Sequence, residues 1–405
     1  MTLAALLLAA SAVRGVDGAE ALPPHIIAVA GSELPHLAGA PIECLRAAAR
    51  DADGSVRPVP VQIDERVRDG NGFAWAFEGG EEPLRDPDTA FDADDLLLLD
   101  VRDAGACADV PAGGSAIVVE DGGCITLACD ATPPVPPSRV RLLNAGQAIA
   151  GNAYQLGFAP DGKAWLNALR LGDGANLLDR SKGRLRLELP LGLVVDRDED
   201  DLRTRVTGEH VGPLRIVREI EARGRVALNL YSRPTRDRFI FYADGFSIPT
   251  SVVISPSAAL VLRAVVLRLS MDLRPSGAAL QFRSAPEIPA TLPITGHEGR
   301  RGSWAPLQWY LLQSGSTGLL GWLETDPAYA SDVTLYYNDD VAHADPPENV
   351  PGEFGDHGFL FVRSEGLATG TFRVVTQAWV VRGHDLEDPA GVRERFTRRP
   401  TYVVR

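Results

Sequence analysis

The chain has 405 residues, 45% of them hydrophobic, with 40 Gly, 30 Pro and four Cys. That length exceeds one ordinary core and predicts two domains, or three. A net charge of −14 argues against a nucleic-acid ligand, whose phosphates need a basic surface; it is compatible with divalent cations, neutral sugars or a basic partner. Lysine stands only at Lys163 and Lys182, and arginine supplies the other 38 of the 40 basic residues, a bias that reads as genome composition rather than chemistry.

In chain order, Met1 to Ala12 is a short apolar run ending in Ala10-Ser11-Ala12, a small-x-small cleavage pattern without the basic leader such signals carry. Residues 1–21 are therefore read as an export leader, and the mature chain as periplasmic or extracellular. No segment reaches the ~18 uninterrupted apolar residues of a membrane span; Ala258 to Met271, broken by Arg263 and Arg268, reads as a strand pair. Cys44, Cys107, Cys124 and Cys129 fit up to two disulfides in an exported protein. Cys124 with Cys129 would close a small loop and leave Cys44 with Cys107, but all three pairings stay open.

Residues 22–135 form the first expected domain, a small β-domain. His25 to Val29, Ile42 to Ala49, Val56 to Ile63, Leu96 to Val101 and Ser115 to Glu120 read as strands. Pro58 and Pro60 each remove a ladder donor and mark an edge or a bulge. Pro133 to Pro137 is a stiff linker. From residue 139 to 405 strands alternate with turns, Leu185-Arg186-Leu187-Glu188-Leu189 most strictly. The expectation is an all-β chain: a small N-terminal β-domain, then a large antiparallel β-sandwich. Asp196 to Asp201 reads as a solvated loop or helix start.

The run RPVPVQIDER (Arg57 to Arg66), followed after an acidic loop by FDADDLLLLD (Phe91 to Asp100), resembles a signature of uncharacterised secreted bacterial β-proteins. VGPLRIVREI and NLLDRSKGRLRLEL look like further pieces of the same architecture. The resemblance implies an N-terminal β-domain before a larger sandwich, of the supersandwich type seen in galactose-mutarotase-like proteins. It brings no catalytic residues with it.

Four constellations are candidates for chemistry. Asp86, Asp88, Asp92 and Asp94 offer the oxygens calcium requires, but Phe91 and Leu97 stand where an EF-hand needs Gly and Glu; a turn capped by aspartates is the favoured reading. Gln62 and Asp64 share one strand face, and Glu65 the other. His343 and His357, beside Asp340 and Asp356, form the candidate acid/base group. Arg300, Arg301, Trp304, Trp309, Trp322 and Tyr337 make a candidate sugar platform by stacking and hydrogen bonding, although alternation would bury Trp309. No phosphate loop, G-x-S-x-G elbow or catalytic Cys is present.

The leading expectation is an exported β-protein that binds a glycan or another exported macromolecule. The alternatives are a carbohydrate-active enzyme (lyase, hydrolase or epimerase) and a non-catalytic accessory subunit of a periplasmic or membrane-attached complex.

Overall fold

The computed structural model describes residues 22–405 except 69–72, 76–88, 108–109, 111–112, 131–135, 160–165, 228–229, 232–234, 255, 286–287, 298–300, 305–308, 347–349, 351 and 365–368. The expected export leader and most of the Pro133–Pro137 linker lie outside the described residues. As expected, the chain is all-β, built of antiparallel sheets with few helices.

The N-terminal strands make two small sheets around one core, beside a two-stranded ribbon of Arg66–Arg68 with Phe73–Trp75. Val56–Val59, Leu45–Arg50, Cys124–Cys129 and Ser115–Val119 form one; Ile26–Ala30, Leu96–Asp100 and Val61–Asp64 form the other. Pro60 divides the expected strand Val56 to Ile63 in two, one piece per sheet, and leaves Val56–Val59 on an edge, where a missing N–H costs nothing. The last strand of the chain, Tyr402–Val404, pairs with Ser115–Val119. Residues 139–405 therefore do not end in the larger sheets: the C-terminus returns to the first.

The disulfides are Cys44–Cys129 and Cys107–Cys124. The small Cys124–Cys129 loop cannot form, because both residues lie on one extended strand, about 17 Å apart at ~3.4 Å per residue, and a disulfide spans Cα atoms less than about 7 Å apart.

The remainder holds two large sheets that face each other and a four-stranded sheet, Arg141–Leu143, Ala148–Ala150, Tyr154–Phe158 and Leu166–Leu171, that packs into the same core. The six-stranded sheet runs Val194–Arg197, Leu178–Glu188, Ala264–Leu273, Glu353–Arg363, Val333–Asp340, Arg301–Trp304. Its partner has ten strands, among them Arg215–Ala227, Thr235–Tyr242, Gly245–Ile254, Gly370–Arg382, Thr317–Thr325 and Trp309–Ser314. Between them lies a core in which Phe282 stacks on Tyr337 at 4.5 Å and Tyr310 meets Phe359. The opposite face of the ten-stranded sheet carries Trp322 and Trp379, covered by Phe396 of the C-terminal helix Pro389–Thr397. The expected strand pair at 258–271 is instead a short helix, Pro256–Val261, leading into the strand Ala264–Leu273.

The signature motif joins these parts. Gln62 Oε1 accepts the backbone N–H groups of Leu214 and Arg215, at 3.0 and 2.9 Å. Its Nε2 donates to Asp64 Oδ1 at 2.7 Å. Asp64 Oδ2 in turn accepts from Arg215 Nε at 2.9 Å and Nη2 at 2.5 Å, and both side chains are fully buried. A Cβ on Gly212 would fall 2.1 Å from the Gln62 side chain, so the bend at Gly212-Pro213 closes only with glycine. The polar pair on one strand face is a clasp between the N-terminal sheet and the ten-stranded sheet.

A candidate acid/base site on the six-stranded sheet

The outer face of the six-stranded sheet, turned away from the core, carries a cluster of charged side chains. Lys182 lies opposite Ser270, and Arg184 opposite Arg268, across the Leu178–Glu188 and Ala264–Leu273 strands. Directly paired residues point the same way, so Arg180, Lys182, Arg184, Arg268 and Asp272 all project to this side. From the next strands come Glu353, Asp356, Tyr336 and Asn338.

Glu353 and Asp356 are three residues apart, and in a regular strand they would face opposite sides. A bulge corrects the parity. The register shifts between Asn338 and Asp340, and Gly355 takes φ +57°, where a side chain would be strained and would strike Ile294 at 2.7 Å. Asp339, fully buried, holds the bulge by accepting the N–H groups of Thr295, Gly296 and Gly355 at 2.9, 2.9 and 3.0 Å. Phe354 and His357 consequently point into the core, and Glu353 and Asp356 point out to the cluster.

Lys182 is the centre of that cluster. Its side chain has no solvent exposure, and Nζ lies 2.8 Å from Asp272, 3.5 Å from Asp345 and 3.7 Å from both Glu353 and Asp356. Burial opposes its charge, but Asp356, Asp272 and Glu353 outweigh that and raise its pKa. Arg268 Nη1 donates to the Tyr336 hydroxyl at 2.6 Å and to Glu353 Oε1 at 3.2 Å. The Tyr336 hydroxyl donates in turn to Glu353 at 3.1 Å. Asp345 pairs with Arg268 and Arg184, and Arg184 with Glu199. Arg184 also binds the carbonyls of Asp345 and Pro346 at 3.3 Å, drawing that segment over the face.

Two carboxyls here titrate near neutrality. Burial first, then the negative charge of Asp356, raises Glu353 to about 8 and Asp272 to about 7, against the pull of Lys182. Asp345 is held below its usual value, because Arg268, Arg184 and Lys182 outweigh its burial. Both oxygens of Asp356 are buried without a hydrogen-bond partner; its nearest cation is Lys182. The face therefore presents a carboxylic acid, Glu353, beside a carboxyl group with open acceptor positions, and two fixed cations. Such a group can give and take protons at neutral pH.

The expected acid/base residues are dispersed. Asp356 belongs to the cluster, and His343, half-buried, stands at its rim with Nε2 4.0 Å from Glu353. Asp340 instead shapes the following turn, its Oδ1 accepting from Ala342 N–H at 3.0 Å. His357 faces the opposite side, buried between Phe282 and Tyr310, with Nδ1 2.8 Å from Gly355 O and its pKa lowered by burial. The bulge at Gly355 is the reason. Asp345 and Glu353 lie close in sequence to His343 and Asp356, but Lys182, Arg268, Asp272 and Tyr336 carried no signal of their own; they are brought in by the successive pairing of the strands Leu178–Glu188, Ala264–Leu273, Glu353–Arg363 and Val333–Asp340.

The aromatic platform is corrected. Trp309, Trp322 and Tyr337 are buried in the two cores, so no groove is lined by them. Arg300 and the side chains of Arg301 and Trp304 lie outside the described residues. In the acidic loop, Asp86 and Asp88 also lie outside them. Asp92 Oδ1 accepts Asp94 N–H at 2.7 Å, and Asp95 accepts Asp92 N–H at 2.9 Å, which is the turn reading. The run at Asp196 to Asp201 is not simply solvated: Asp198 caps the turn, while Glu199 and Asp201 are buried and paired with arginines. Asp345, Glu353 and Asp356 each offer an oxygen within 4.8 Å of one another, a spacing that could hold a metal ion; the Lys182 ammonium contacts all three.

No family model matches the chain. No curated protein matches it either. Among solved structures it is similar to an alpha-mannosidase from Enterococcus faecalis V583, at 10% identity and a TM-score of 0.48, over 89% of this chain and 40% of that one. It is also similar to a protein titled "Putative aldose 1-epimerase" from Escherichia coli K12, at 11% identity and a TM-score of 0.35, over 58% of this chain and 98% of that one. The chain thus spans about two fifths of the mannosidase's length. Likenesses this distant assign neither a fold family nor an activity.

Proposed function

We propose that the chain is an exported carbohydrate-active enzyme that works by proton transfer, with Glu353 as its acid/base group and Asp356 as the neighbouring carboxylate. The observation that carries this reading is Glu353, raised to about 8 beside Asp356 on one sheet face. At neutral pH Glu353 is mainly protonated, and its side chain is fully buried; once it has given up its proton, Arg268 and Lys182 stabilise the carboxylate that remains. Carboxylates and guanidinium groups on one face also suit a polyol, whose vicinal hydroxyls both donate and accept. The chain's net charge of −14 disfavours a polyanion as the main substrate.

The spacing bears on reaction type. The Glu353 and Asp356 oxygens are within 4.8 Å, whereas inverting hydrolysis needs carboxyl groups about 6.5–9.5 Å apart to admit a water. An epimerase or lyase, which moves a proton at a sugar centre, fits better than an inverting hydrolase. A supersandwich scaffold is supported by the two large antiparallel sheets packed across one core, and export by the two disulfides. Among the described residues no helix is long and apolar enough to cross a membrane. Calcium has weaker support than a metal-free site, because an ion among Asp345, Glu353 and Asp356 would have to displace Lys182.

The test is a screen of free sugars and polysaccharides in D2O by NMR, with wild type and Glu353→Gln compared. Wild type should catalyse exchange, epimerisation or elimination on at least one substrate, and the variant should lose it. A second reading, a protein that binds a glycan elsewhere and has no turnover, is favoured by one observation: the side chains of Lys182, Glu353 and Asp356 have no solvent exposure. Saturable binding with no exchange on any sugar would select it.

A further inference from the structure

We propose that a second, separate site on this protein binds a small organic carboxylate. A cavity of about 320 Å³ opens where the segment before the first strand, the end of the Gly370–Arg382 strand and the C-terminal helix Pro389–Thr397 meet the turns at Arg102, Ala153 and Asp244. It lies on the side of the ten-stranded sheet that carries Trp379, away from the core and from the Lys182 cluster. Its volume suits a single six-membered ring bearing a carboxylate.

The charges lining it favour an anion. Arg102, Arg382 and Arg395 contribute guanidinium groups, against the carboxylates of Asp244 and Asp385. Arg102 Nη1 donates to Asp244 at 3.0 Å, and Arg395 Nη2 to Asp385 at 2.5 Å. Asp100, which also binds Arg102, is buried behind it and shared with Arg139. His25, at the cavity wall, adds no charge at neutral pH: burial lowers its pKa to about 4, and Asp100 and Asp244 do not overcome that. Arg382 is exposed and has no side-chain hydrogen bond or ion pair among the described residues. Among the lining side chains three guanidinium groups thus face two carboxylates, while Asp100 and Asp103 behind them are paired with Arg139, in a chain whose net charge is −14.

The remaining wall is apolar. Phe396 and Val380, both partly exposed, form its surface, over Trp379 and Val392, which are buried behind them. A ligand that pairs its carboxylate with Arg382 can rest a ring or short hydrocarbon body against them. Guanidinium also offers two parallel N–H donors to a carboxylate, which ammonium does not.

Calorimetric titration of the full chain with benzoate and glucuronate, each beside its neutral counterpart benzamide or glucose, tests the site. The expected result is saturable binding of at least one carboxylate, its neutral counterpart about tenfold weaker or more. Arg382→Gln should lose binding by about tenfold, and Arg382→Lys should keep part of it. Arg382 is exposed, so both variants should fold, as circular dichroism would confirm. Three results would overturn the proposal: equal binding of the neutral counterpart, unchanged affinity in Arg382→Gln, or no binding of either carboxylate up to about 10 mM.

Discussion

Arg215 donates two hydrogen bonds to Oδ2 of Asp64, and neither side chain reaches solvent. The pair sits where the N-terminal sheet meets the ten-stranded sheet. Burial alone would raise Asp64, but Arg215, His210 and Gln62 together hold it below the usual carboxylate range. Removing one member leaves the other buried and uncompensated. Asp64→Ala should therefore destabilise the protein by about 3–5 kcal/mol, read from urea unfolding. Replacing both residues, as in Asp64→Leu with Arg215→Met, should cost less than the single change. If Asp64→Ala unfolds at the wild-type midpoint, the clasp is not holding the sheets together.

Stability should depend on pH in a direction set by Glu353 and Asp272. Their folded values, about 8 and about 7, lie above their ordinary 4.5 and 3.8, so folding takes up protons. Their contribution is fully present below the unfolded values and is lost as pH rises through the folded ones. Between about pH 4 and pH 8 stability should fall. Glu353→Gln cannot titrate and should flatten this slope. Urea midpoints at pH 5 and pH 9 for both proteins measure it; an unchanged slope in the variant would assign the dependence elsewhere.

The sequence made the strands legible, because alternation and turn chemistry are local. It also marked the polar pair Gln62 and Asp64, and supplied the charge run that became the Glu199 turn. It misplaced His357 for one reason: a bulge at Gly355 reverses which residues of that strand share a face, and only the pairing with Val333–Asp340 reveals it. Lys182 was visible as one of just two lysines, yet nothing local said that four carboxylates would surround it. The platform failed on burial. Trp309, Trp322 and Tyr337 are large apolar side chains in strands, and the cores on the two faces of the ten-stranded sheet absorb them.

Lys182 behaves as a tethered cation among Asp272, Asp345, Glu353 and Asp356. Lys182→Met should remove it and leave the carboxylates in place. The variant should be destabilised in chelator, and calcium or manganese should raise its melting temperature while leaving wild type unchanged, since a ligand stabilises only the state that binds it. Thermal scans with and without each ion decide this. Equal responses in both proteins would mean that the carboxylates do not depend on the ammonium.

The disulfides differ in the chain they close. Cys44–Cys129 spans 85 residues and Cys107–Cys124 spans 17. Constraint of the unfolded chain predicts contributions of about 4.5 and about 3 kcal/mol. Double replacement by serine of the first pair should lower the urea midpoint more than replacement of the second. The reverse order would show that strain or residual unfolded structure outweighs loop length.

The claim on which the proposed chemistry rests is the protonation of Glu353, and a carboxyl ¹³C NMR titration of the folded protein measures it, with Glu353→Gln assigning the resonance. The account predicts one glutamate midpoint near 8, absent from the variant. A midpoint for Glu353 near the ordinary 4.5 would contradict it.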